Sequence, residues 1–149
     1  MTASEIRARL LREHAELRVL ASEARRAAAQ MRGGGGETAL RDLGWCILRL
    51  GGALRIHNDY EERALREVIK KVDAWGPARA EIMEESHMHE HAELLAALVV
   101  TSTADADAAG ASLSRALDKL EAHMTREEEV LLAEGILRDD DVVIDYFGG

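Results

Sequence analysis

Five of the six histidines in this 149-residue chain stand where an apolar repeat calls for leucine. Four long segments carry apolar residues every three or four positions, the period of a helix that buries one face. Each inward stripe is interrupted by ionisable side chains. His14 stands in the first, His57 and Glu61 in the second, His87 and His91 in the third, and His123 and Glu127 in the fourth. Burying five imidazoles and two carboxylates is very costly unless something binds them, and a pair of metal ions is the simplest agent. The chain must therefore bring four helices to one shared polar layer.

The segments have readable ends. Thr2 followed three residues later by Glu5 is a capping box, opening a helix that runs to about Arg32 with Ile6, Leu10, His14, Leu17 and Ala21 on one face. The glycine run at 33–36 stops it, because consecutive glycines lose too much backbone entropy in a helix. The second helix spans about Thr38 to Val72, with a stripe of Leu40, Leu43, Ile47, Leu50, Leu54, His57, Glu61, Leu65 and Val68. Gly51-Gly52 inside it reads as close helix–helix contact or a local bend, with room for a small-molecule path as the alternative. Asp73-Ala74-Trp75-Gly76-Pro77 closes the segment. A third helix covers about Ala78 to Val100, aligning His87, His91, Leu94 and Leu98. The polar stretch Thr101–Asp107 holds the next turn, and the fourth helix begins between residues 104 and 111. Its stripe is Leu113, Ala116, Leu120, His123, Glu127 and Val130, with Gly135 as C-cap. Trp45 and Trp75 read as packing residues, and Cys46, beside Ile47, as an inert buried thiol.

Short connections between four helices favour an antiparallel up-down-up-down bundle, an all-α fold, over residues 1–135. Residues 136–149 form a short tail, an acidic triplet with Val142-Val143-Ile144 and Tyr146-Phe147, that packs on the bundle or on a partner. The net charge of −9 and the absence of a basic cluster argue against nucleic acid. No apolar run reaches the ~20 residues of a membrane span, and no signal-peptide core is present. One cysteine excludes an internal disulfide framework, so a cytoplasmic location is expected.

Counting residues from the turns tests whether the seven side chains meet. His14 lies about 20 residues before the glycine turn and His57 about 22 after it, a height difference of about 3 Å at 1.5 Å per residue. Glu61 lies about 14 residues before the Trp75 turn, and His87 and His91 about 12 and 16 after it. His91 and His123 lie about 13 and 19 residues from a turn near residue 104. All seven fall within one or two helical turns of a common level. The i,i+4 pairs His57/Glu61, His87/His91 and His123/Glu127 can each address two stacked ions. The nitrogen-rich set suits Fe, Mn or Zn rather than Mg or Ca. His89 points some 200° away from His87 and His91 and is expected at the surface. Glu127 keeps the stripe, but Glu128 could also reach the bundle axis. Tyr60, near His57, either packs on the helix flank or donates to a bound oxygen species. Glu84-x-x-His87 has the spacing of a ferritin-like motif, but helix one supplies a histidine where that fold needs glutamates.

One His on helix one, His57-x-x-x-Glu61, His87-x-x-x-His91, and His123 with a nearby carboxylate resemble the hemerythrin-like, HHE cation-binding family over about Leu10 to Leu132. The resemblance implies a di-iron centre, oxo- or hydroxo-bridged, in which manganese or zinc can substitute. His14 and His57 would serve one iron and His87, His91 and His123 the other, with Glu61 and Glu127 bridging. It further implies that the iron with fewer histidines keeps an open position for dioxygen, for storage, delivery or sensing. The alternative is an enzyme turning over peroxide or nitric oxide at the same centre. Iron storage or a structural zinc site fits the mixed bridging set less well. The expected partners are a small diatomic or peroxide ligand, with a homo-oligomer or an unknown protein partner for any sensing role. The chain is expected to lack the cysteine-bearing N-terminal extension usual in the iron–sulfur repair proteins of that family.

Overall fold

The computed structural model describes residues 1–34, 36–103 and 106–139. Helix α1 spans Ala3–Arg32, α2 Gly36–Tyr60, α3 Arg66–Val72, α4 Gly76–Thr103 and α5 Ala106–Val130. A π-helical turn, Glu61–Leu65, joins α2 to α3 in one continuous rod, so the chain builds a four-rod bundle. No strand occurs among the described residues. The rod α2–α3 packs against both α1 and α4, and α5 closes the bundle against the same two helices.

The local signals act as their chemistry requires. The Thr2 hydroxyl accepts from the Glu5 amide at 3.2 Å, and the Glu5 carboxylate accepts from the Thr2 amide at 2.8 Å. At the other end of α1 the Gly33 amide donates to the Ala29 carbonyl. Gly34 follows at φ +91°, a conformation that favours glycine. In the α3–α4 turn the Asp73 carboxylate accepts from the Trp75 amide and from Arg79. Gly76 is compulsory there, since a Cβ would stand 2.1 Å from the Ile69 carbonyl oxygen.

The core is split into two apolar layers. One contains Leu17, Leu20, Leu50, Leu54, Leu94, Leu98, Leu117 and Leu120. The other contains Ile6, Leu10, Leu65, Ile69, Ala80, Met83, Leu131, Leu132 and Leu137. Along α1 the chain passes from the second layer through His14 into the first. Along α2–α3 it passes from the first through His57 and Glu61 into the second, and α4 and α5 repeat that alternation. This ordering is the up-down-up-down topology, and it leaves one polar level between two apolar blocks.

Several sequence expectations need correction. Leu40 and Val130 are more than half exposed, and Leu131 and Leu132 take the place assigned to Val130. Val68 is only half-buried while Ile69 is fully buried. The π turn explains that shift. Twelve α-helical residues from His57 to Ile69 would drift about 120° round the helix, and the wider i→i+5 turn absorbs the drift. Trp45 and Trp75 are 61% and 72% exposed and do not pack in the core. Gly51 and Gly52 make no close contact, since a Cβ on either would meet nothing within 4 Å, and α2 runs unbroken through them. They floor grooves of about 280 and 400 Å³ on either side of the helix. Helix α4 continues to Thr103, and α5 ends at Val130 rather than near Gly135. Leu137 is buried against the bundle, and the Ser4 amide donates to Asp139 at 2.9 Å. The Val142–Phe147 part of the tail lies outside the described residues.

Candidate metal centre

All seven side chains picked from the sequence lie in the polar level, and each is at least nine-tenths buried. They form two groups in which each residue offers one nitrogen or oxygen atom within 4.8 Å of those of the others: His87, His91, His123, Glu61 and Glu127, and His14, His57 and Glu127. Glu127 belongs to both. Its Oε2 is 3.0 Å from His14 Nε2, its Oε1 is 2.8 Å from His123 Nε2, and it also touches His87 Nε2. Glu61 faces α4, with Oε1 3.3 Å from His87 Nε2 and Oε2 3.5 Å from His91 Nε2. The same Oε2 is 3.6 Å from His57 Nε2. The imidazoles pair as the groups do, with centroids 4.9 Å apart for His14–His57 and for His87–His123.

Many of the inward atoms are buried without a hydrogen bond: His14 Nε2, His57 Nε2, both Glu61 oxygens and Glu127 Oε2. His14 Nε2 and Glu127 Oε2 are close enough to attract but are not aligned as donor and acceptor. Leaving a buried polar atom unpaired costs on the order of 1–3 kcal/mol, so five converging on one spot are a cradle for a cation. The donor set, imidazole nitrogen with carboxylate oxygen, fits a transition metal. The His/Glu cluster is thus able to hold metal.

The local electrostatics follow from the same contacts. Burial alone would lower the His87 pKa, but Glu127 and Glu61 outweigh it and push it up to about 10. His14 and His123 are raised too, burial again being overcome by Glu127. Burial would raise Glu127, but His123, His14 and His87 hold it well below the ordinary carboxylate range. His14, His87 and His123 and the carboxylate of Glu127 thus favour one another's charged forms.

Behind the inward atoms runs a second set of carboxylates that sequence periodicity did not single out as a set. Glu13 of α1 contacts His57 Nδ1 at 3.2 Å, and Glu62 of the π turn contacts His91 Nδ1 at 3.2 Å. Glu90 of α4 contacts His123 Nδ1 at 2.8 Å, and Glu128 of α5 contacts His14 Nδ1 at 2.8 Å. Each reaches from one helix to the next, so the four close a ring around the bundle. Arg9, Arg126 and Arg18 brace Glu13, Glu90 and Glu128. Glu128, the alternative fourth-helix ligand, thus stands outside His14 while Glu127 stands at the centre. The signal was present in the chain: each ring member is the immediate neighbour of an inward residue.

The remaining candidates fall away from the centre. His89 is exposed and faces Glu93 at 3.2 Å. Tyr60 lies on the flank, with Arg9 3.4 Å above its ring and its hydroxyl donating to the Met1 sulfur. Glu84 is exposed and paired with Arg66, not turned inward as a ferritin-like motif would require. Cys46 is half-buried, and burial pushes its thiol pKa up. No helix among the described residues is long and apolar enough to cross a membrane.

No curated protein and no solved structure matches the chain. The model of the hemerythrin HHE cation binding domain matches residues 5–134, nearly the full length of the bundle and all seven inward residues. The chain belongs to the hemerythrin HHE cation-binding domain family.

Proposed function

We propose that the polar level holds two iron ions and serves to bind dioxygen for storage, delivery or sensing. The observation that carries this reading is the division of the inward side chains into two groups that share Glu127. His14 and His57 would hold one ion, His87, His91 and His123 the other, with Glu61 and Glu127 between them. Iron, when bound there, supplies the electrons and the exchangeable position that dioxygen chemistry needs.

The chain's own residues prepare the site. The ring carboxylates on Nδ1 of His14, His57, His91 and His123 keep the ring proton on Nδ1 and leave Nε2 free to face inward. The apolar layers on either side exclude water, and the two inward carboxylates offset part of the charge of two cations. A second reading, turnover of peroxide or nitric oxide, is favoured by one feature. The partly exposed Glu62 and Glu90 lie against buried His91 and His123, which puts proton-carrying carboxylates between the centre and solvent.

Optical spectra of the reduced, iron-loaded protein decide between the readings. A band that appears with air and disappears on degassing, over repeated cycles, supports reversible binding. Sustained consumption of peroxide or nitric oxide without such a band supports turnover, and an unchanging spectrum under all three ligands contradicts both.

A further inference from the structure

His87 breaks the pattern of the ring. Its Nε2 faces Glu127 and Glu61 as the other imidazoles face inward, but its Nδ1 has no partner among the described residues. The residue is 92% buried, at 8% exposure, and it lines a cleft of about 160 Å³ between α4 and α5. Ile82, Met83, Val130 and Leu131 wall the cleft, and Glu127 and His123 lie beside His87 in its lining. An apolar cavity of about 150 Å³ holds a benzene-sized molecule. Arg79 and Arg126 also line it, but Arg79 is engaged by Asp73 at 2.7 Å and Arg126 by Glu90 at 2.8 Å. Neither offers an unpaired positive charge, so the cleft favours a neutral molecule over an anion.

We propose that this cleft binds a small neutral organic molecule, of roughly six to eight heavy atoms, that carries one hydrogen-bond acceptor oxygen for His87 Nδ1. The demand for an acceptor rests on the metal reading above. An imidazole that holds metal through Nε2 carries its proton on Nδ1 and must donate there. The other four imidazoles satisfy that donor with a carboxylate of the chain, whereas His87 leaves it to a ligand. The cleft thus seats an organic molecule against His87 and His123 of the three-histidine group, while His14 and His57 are not part of its lining. Ketones, alcohols and neutral carbonyl compounds with an apolar body are the matching class.

The test uses the full chain loaded with zinc, its metal content measured first, and two probes of similar size, cyclohexanone and methylcyclohexane. In amide NMR spectra both are expected to shift Met83 and Leu131, with cyclohexanone binding roughly fivefold or more tightly because it alone accepts a hydrogen bond. Val130→Trp or Ile82→Trp, each at an exposed position of the cleft wall, should abolish both sets of shifts while leaving zinc content unchanged. With about two zinc ions per chain, the absence of shifts, equal affinity for the two probes, or binding that survives both tryptophan variants overturns this proposal alone. Failure of the chain to take up zinc overturns the metal reading and, with it, the acceptor requirement.

Discussion

Glu90 illustrates how much of the site lies one step behind the inward atoms. It accepts from His123 Nδ1 at 2.8 Å and is braced by Arg126 from the same helix as His123. Burial would raise its pKa, yet His123 and Arg126 hold it below the ordinary carboxylate value. Such a carboxylate fixes the tautomer and orientation of the imidazole, and removing one costs on the order of 10–100-fold in metal affinity. Glu90→Ala should therefore weaken metal binding by about that factor in a chelator competition, and Glu90→Gln by less. His89→Ala, one position away, should change nothing measurable, since His89 reaches only Glu93. The inward residues were legible because an imidazole on an apolar stripe violates the pattern. The ring was not, because a glutamate beside the stripe looks like ordinary solvated surface. In hindsight its handedness was encoded. Glu13 and Glu90 precede His14 and His91, whereas Glu62 and Glu128 follow Glu61 and Glu127. A step of about 100° backward on one helix and forward on its antiparallel neighbour turns the same way round the bundle.

At the scale of elements, the glycines separate structural need from tolerance. Gly76 lets α4 start against the end of α3, where a Cβ would meet the Ile69 carbonyl at 2.1 Å. Gly76→Ala should lower unfolding stability by roughly 1–3 kcal/mol, read from denaturant melts, because backbone rather than a flexible side chain must move. Gly52→Ala should do the reverse and raise stability by roughly 0.5–1 kcal/mol, since nothing lies within 4 Å of its added methyl and helix propensity improves. A loss of stability in Gly52→Ala would mean that α2 is packed more tightly than described. The π turn marks the limit of periodic reading. Its five residues carry Glu61 inward and turn Glu62 toward His91, and no simple 3.6-residue repeat predicts that change of pitch. The exposed tryptophans show the same limit from another side. Large apolar side chains suggest a core, but only the packing of neighbouring helices decides which face has one.

The whole molecule is two apolar blocks clamped on a charged layer, and its response to pH follows from that layer. His87 is raised from 6.5 to about 10, with His14 and His123 raised in the same direction. A raised histidine contributes stability fully below its unfolded value of 6.5 and loses it as pH climbs toward the folded value. Glu127, Glu13, Glu90 and Glu128 are lowered from 4.5, so their contribution disappears as pH falls below that value. The metal-free protein should thus be most stable between pH 4.5 and 6.5 and melt at steadily lower temperature toward pH 10. Metal binding should show the opposite slope, strengthening as pH rises through that range, because the raised imidazoles of His14, His87 and His123 must release a proton to bind. Thermal melts with and without metal across pH 4–10 check both slopes.

The level at which the helices meet was legible because short turns fix helix height, and counting from them placed all seven residues together. The alignment of inward atoms without hydrogen bonds could be seen only in three dimensions. Metal stoichiometry tests the resulting claim most directly. Protein purified from iron-supplemented cells and analysed by elemental mass spectrometry should contain about two metal ions per chain, reduced sharply by Glu127→Ala, which removes the group common to both clusters. One ion or fewer per wild-type chain, or full retention of metal in Glu127→Ala, would contradict it.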